Sequence, residues 1–156
     1  MNKDVCLCLV ILFTLIFYSC DQDRIFEKNV EIPEFNWNKN EPIVFSIDIS
    51  DTNTIHNVHI NVRNSGNYSY SNLFLFITTF SPTGHWIKDT LEIPLADKRG
   101  KWMGSGIGDI YFNRKIFKNS VRFPVYGIYT FEIRQGMRTE YLSGIRDVGL
   151  RIEKAK

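Results

Sequence analysis

The sequence predicts an all-β chain: one antiparallel β-sandwich of jelly-roll or immunoglobulin-like type, placed behind an N-terminal export segment. Three observations predict it. Apolar residues recur at every second position over several short stretches, which sets one face of each stretch against a core. Turn-forming Asn, Asp, Gly and Pro fall between those stretches at regular intervals. No alternation of strand and helix patterns appears, so a parallel sheet with crossover helices is excluded in favour of short antiparallel strands.

The export segment comes first. An apolar run from Val5 to Tyr18 follows Lys3 and ends at Ser19-Cys20, the three-part layout of a secretory signal. Ser19-Cys20 resembles a bacterial lipobox, in which the cysteine is diacylated and becomes the new N-terminus. Residues 1–19 are therefore expected to be a lipoprotein signal peptide, cleaved between Ser19 and Cys20, with Cys20 lipidated. The box departs from the usual pattern at Phe17 and Tyr18, where Leu or Val and then a small residue commonly stand. An uncleaved transmembrane helix is one alternative, but crossing takes about 20 apolar residues and this run is shorter. A plain secretory signal is the other, and it would leave Cys20 as a lone exposed thiol.

Cleavage leaves roughly 137 residues, enough for one domain with a sizeable core. The expected division is a lipid-anchored tether with a first edge strand over 20–37 and the sandwich over 38–156. Cys6 and Cys8 leave with the signal, so disulfides and thiolate metal sites are not expected and burial must hold the fold. The formal net charge of +2 hides an asymmetry: about −5 from Asp21 to Ala96 and about +7 from Asp97 to Lys156. Such an imbalance suggests an anionic surface or partner, unless a sandwich interleaves the two halves in space. Nucleic acid is not an expected partner of an exported lipoprotein.

In chain order, Asp21–Trp37 is polar with isolated apolar anchors, a tether that lifts the domain off the membrane and leads into an edge strand. Ile43, Phe45, Ile47 and Ile49 alternate with polar neighbours, and after Asp51-Thr52-Asn53 the pattern resumes at Val58, Ile60 and Val62, which predicts an antiparallel pair. Asn64-Ser65-Gly66-Asn67 is a loop. The unbroken run Leu73–Ile77 predicts a strand covered on both sides at the centre of a sheet. Ile87, Leu91 and Ile93 share the face of a further strand that Pro94 ends or marks as an edge. Gly104-Ser105-Gly106-Ile107-Gly108 demands tight turns or bulges. Strands are predicted again at Ile110–Phe112, at Val121–Val125, at Tyr129–Ile133 and at Ile145–Ile152. Met137, Tyr141 and Leu142 permit either a short helix or a wide connection between the last two.

No catalytic set emerges. The glycine-rich stretch lacks the following helix a phosphate loop requires, and Ser105 lacks the preceding glycine of a nucleophile elbow, since Met103 stands there. His56 and His59 are three apart, on opposite faces of a strand, and His85 lies elsewhere, so no metal site is expected. Asp48, Asp51, Asp89, Asp109 and Asp147 have no calcium-loop spacing. Trp37, Trp86, Trp102, Tyr68 and Tyr70 are candidates for stacking on sugar rings, against the commoner role of filling a core. Asp89-Thr90-Leu91 resembles an O-glycosylation motif of exported Bacteroidetes proteins. No enzyme activity and no cofactor are expected.

Three blocks taken together carry a family resemblance. The first runs from Arg63-Asn64 through Tyr68–Leu75. The second joins Asp89-Thr90-Leu91 and Leu95-Ala96 to Gly100–Asp109. The third runs from Gly127–Phe131 through Met137-Arg138 and Leu142–Ile145 to Asp147–Arg151. In this order, behind a lipidated cysteine, they resemble the gliding-motility lipoprotein GldH family of Bacteroidetes over essentially the whole mature chain. Ser69 and Gly136 differ from the residues usual in the family. The resemblance implies a non-catalytic, outer-membrane lipoprotein, expected to face the periplasm and to support gliding and its associated secretion system through contact with other envelope proteins. The alternative expectation is a surface carbohydrate-binding lipoprotein.

Overall fold

The computed structural model describes residues 21–156, so the apolar run, Ser19 and Cys20 lie outside the described residues. The ten strands among the described residues are all antiparallel, and the two larger sheets pack as a sandwich. One sheet has the order β1 (Arg24–Glu31), β10 (Ile145–Lys154), β4 (His56–Ser65) and β7 (Ile110–Val121). The other has the order β3 (Ile43–Ile49), β8 (Gly127–Gln135), β5 (Asn72–Phe80) and β6 (Trp86–Pro94). A two-stranded ribbon joins β2 (Asn36–Asn38) to β9 (Tyr141–Ser143), with a 3-10 turn at Pro33–Phe35 before it.

Alternation builds the core as the sequence requires. Phe45, Ile47 and Ile49 of β3 and Tyr129, Phe131 and Ile133 of β8 point inward, facing Val58, Ile60 and Val62 of β4 and Val148, Leu150 and Ile152 of β10. Each fully buried aliphatic or Phe side chain contributes about 1.5–3 kcal/mol, so these facing rows are the main source of stability. Trp37 is also buried, its indole N–H donating to the Glu41 carbonyl at 3.0 Å.

Three local expectations change and one open choice is settled. β3 and β4 do not pair: β3 pairs with β8 and β4 with β10 and β7, so the Asp51 turn carries the chain from one sheet to the other. The Leu73–Ile77 run is an inner strand covered completely on one face only. Leu73, Leu75 and Ile77 are buried, whereas Phe74 and Phe76 are half-buried on the outer face, where Lys88 lies 5.0 Å over the Phe76 ring. Val121 ends the long strand β7, and Phe123 and Val125 lie in the loop after it. Between β8 and β10 the chain takes the wide connection, a bend followed by β9, and forms no helix there.

The glycine-rich stretch folds against the start of β7, bridging Ser105 to Phe112. A Cβ on Gly106 would overlap the Ile110 carbonyl oxygen, so close backbone approach explains that glycine. The sheet interleaves the acidic and basic halves of the chain. Acids of β1 lie beside bases of β10 and β7, because the sheet places the first and last strands next to each other.

Candidate functional site

Strand register decides which loops share an end of the sandwich. Arg24 lies opposite Glu153, His56 opposite Lys154, Ile49 opposite Gly127, and Phe80 opposite Trp86. Residues 21–23, the loops 50–55, 81–85 and 122–126, and residues 155–156 therefore gather at one end. Three contacts tie it together: Lys154 N–H donates to the Asp23 carbonyl, Ala155 N–H to the Ile55 carbonyl, and a Cβ on Gly127 would lie 3.2 Å from Pro82.

Residues expected as tether are held in this end. Asp21 Oδ2 lies 2.6 Å from Arg151 Nη2, and the Asp23 carboxylate lies 3.1 Å from Lys156. Arg151, with its side chain 7% exposed, also contacts Glu27 at 2.8 Å and Glu153 at 2.6 Å. Burial works against the charge of Arg151, but hydrogen bonds to Asp21, Glu153 and Glu27 more than offset it and push its pKa up. Burial likewise pushes Glu27 up, yet hydrogen bonds from Arg151 and Asn61 outweigh it and hold the carboxyl below its ordinary range. The hydrogen bond from Arg151 does the same for Asp21. Arg114 completes the group, 2.9 Å from Glu27 and hydrogen-bonded through Nε to Asn61. The charges cancel within the outer face of the sheet, an arrangement that joins strands.

Beside this end, between the free edges of the two sheets, lies a cavity of about 440 Å³. Its walls are apolar, with Val58, Phe117, Val121, Phe123 and Phe131 among them. The Lys118–Asp89 ion pair at 2.9 Å spans from β7 to β6 in its lining. His56 is buried against Phe123, ring centroids 5.3 Å apart. Burial lowers its pKa and keeps the imidazole neutral, with Asp51 opposing.

The other candidates do not assemble. His59 lies on the outer face of β4, 3.1 Å from Glu153, and His85 on an exposed loop. Among the described residues no three His, Cys, Asp or Glu side chains come together as metal ligands. Asp147 is buried against Arg63 at 2.7 Å, Asp51 closes its own turn onto Asn53 and Thr54, and Asp48 is exposed. Tyr68, Tyr70, Trp102 and Tyr111 form a chain of ring contacts at the opposite end, while Trp86 stands alone at the near one. Thr90 is exposed on the edge strand β6. Sequence reasoning missed Arg151 and Glu27; the signal was a base inside the otherwise apolar strand Val148–Ile152.

The fold defines the class as an antiparallel β-sandwich, with no helix long and apolar enough to cross a membrane among the described residues. Residues 24–152 match the family described as GldH lipoprotein, and the chain belongs to that family. It is 38% identical to the "Gliding motility lipoprotein GldH homolog" of Christiangramia forsetii, over 94% of both chains. It is 33% identical to the "Gliding motility lipoprotein GldH" of Flavobacterium johnsoniae, again over 94% of each. Among solved structures, the VP2 subviral particle of infectious bursal disease virus matches at 12% identity and a TM-score of 0.35, covering 85% of this chain and 33% of that one. A likeness that distant carries no argument about function.

Proposed function

We propose that this protein is an outer-membrane lipoprotein, facing the periplasm and lipidated at Cys20 after cleavage behind Ser19. It serves as a non-catalytic accessory subunit of the gliding machinery and the secretion system associated with it. Its partners are other envelope proteins of that apparatus. Family membership and the names of its relatives support the motility role. The observation that carries the anchored reading is the match of residues 24–152 to the GldH lipoprotein family, with Asp21, the residue after Cys20, paired to Arg151 of the sandwich. The polar groups at this end neutralise one another and serve the fold, consistent with a scaffold.

The test has two arms. Cys20→Ala should abolish labelling by fatty acid and release the domain from membranes; continued retention would assign the anchor to the apolar run itself. Crosslinking in native membranes should recover other motility or secretion proteins with the wild-type chain. Recovery of the chain alone, at full expression, overturns the subunit role.

A further inference from the structure

A lipid on Cys20, which this inference takes from the reading above, leaves the sandwich with almost no leash. Asp21 is the next residue and is already bound to Arg151, and Asp23 is bound through both its carbonyl and its carboxylate. One residue of extended chain reaches at most about 3.6 Å. The headgroup layer of a leaflet is about 5–8 Å thick, from a hydrocarbon core of about 30 Å inside a bilayer of about 40–45 Å. Acyl chains at Cys20 therefore hold this end of the domain within that layer.

What the end presents suits the location. Trp86 is 62% exposed, Tyr126 77%, Ile25 42% and Ile55 39%, each from a different segment that the register brings to this end. Tyr and Trp combine an apolar body with a polar tip and settle at the level of lipid headgroups. Single exposed apolar residues are ordinary on a protein surface. Four on the end that carries the lipid attachment point are a different case. Charge does not supply the attraction: Arg24, Arg122, Arg151, Lys154 and Lys156 are balanced there by Asp21, Asp23, Asp48, Asp51 and Glu153.

We infer that this end is a phospholipid-docking face. Trp86, Tyr126, Ile25 and Ile55 enter the interfacial layer of the bilayer that holds the acyl chains, and the sandwich stands upright with the loop 95–109 directed away. Because the local charges balance, docking is insensitive to salt and does not require anionic lipid.

The lipidated full-length protein, reconstituted in phosphatidylcholine vesicles with brominated acyl chains, tests this. Tryptophan quenching is compared between wild type and Trp86→Phe, with mass spectrometry of the N-terminus on the same preparation. The expected result is several-fold stronger quenching in the wild type, unchanged by added salt, with Trp37 and Trp102 contributing little. A lipid-modified protein whose quenching does not depend on Trp86 overturns docking, leaves the anchor standing and assigns the face to a protein partner. An unmodified Cys20 in protein recovered from membranes overturns both the anchor and the docking.

Discussion

Asp21 and Arg151 are joined by a 2.6 Å contact that ties the first described residue to the last strand. Together with the 2.8 Å contact from Arg151 to Glu27, it makes one guanidinium the clamp between β1 and β10. A buried base surrounded by carboxylates costs desolvation and repays it only while all partners are present.

Removing that base should be far more damaging than removing one acid. Arg151→Met leaves Glu27 and Glu153 without their shared partner, and breaking such a pair costs about 3–5 kcal/mol. The lower end applies, because these carboxylates keep some solvent contact. Glu27→Gln, which retains an acceptor, should cost about 1 kcal/mol. Urea unfolding midpoints check both, and equal midpoints for Arg151→Met and wild type would remove the clamp from the account.

Acid should destabilise the fold in two stages. His56 has its folded pKa lowered from the ordinary 6.5, so the unfolded chain takes up the proton first and stability falls as pH drops below that value. Glu27 and Asp21 are lowered from 4.5 and 3.8, so their contribution is present above those values and is lost as pH falls through the folded ones. His56→Gln should flatten the first stage and spare the second. Stability measured by urea between pH 7 and pH 3 tests the sign, and a gain in stability on acidification would contradict it.

The faces of the strands were legible in the sequence, and their neighbours were not. Period-two alternation says which side of Ile43–Ile49 is buried, but nothing local says that Phe45 lies opposite Phe131 rather than a residue of β4. The Asp51 turn reads as a hairpin because its chemistry is the same whether the chain returns beside itself or crosses to a second sheet. Phe74 and Phe76 made β5 look covered on both faces, whereas an outer aromatic can lie half-buried beneath a neighbouring lysine stem. Arg151 and Asp147 interrupt an apolar strand, but the partners that make them tolerable come from Asp21, Glu27 and Arg63, far away in sequence. Ser19-Cys20 is the reverse case, an expectation that rests on a local pattern alone and owes nothing to the fold.

Gly149 should prove necessary for holding β1. It lies on the outer face of β10, where a Cβ would overlap Asn29 Oδ1 and come within 2.9 Å of the Lys28 carbonyl oxygen. The Asn29 side chain can rotate away, but the Lys28 carbonyl belongs to the paired backbone of β1. Gly149→Val should therefore cost about 1–3 kcal/mol, the usual range for overpacking. The loss should be local, with faster amide exchange in β1 than in β4. Uniform acceleration across both strands would show that the strain spreads through the sheet.

The opposite end offers the clearest test of the subunit role. The loop 95–109 joins the far ends of β6 and β7 and presents Ile107, 96% exposed, and Met103, 61% exposed. If the near end docks on the bilayer as inferred above, this loop points away from it and is open to a partner. Neither packs against the core, so Ile107→Asp and Met103→Asp should alter stability by no more than about 0.5 kcal/mol. Any loss of crosslinked partner in these variants then reports contact and not unfolding. The expected outcome is a native unfolding midpoint, full membrane retention and reduced recovery of envelope partners. Full recovery with both substitutions in one chain would move the contact off this loop and onto the sheet faces.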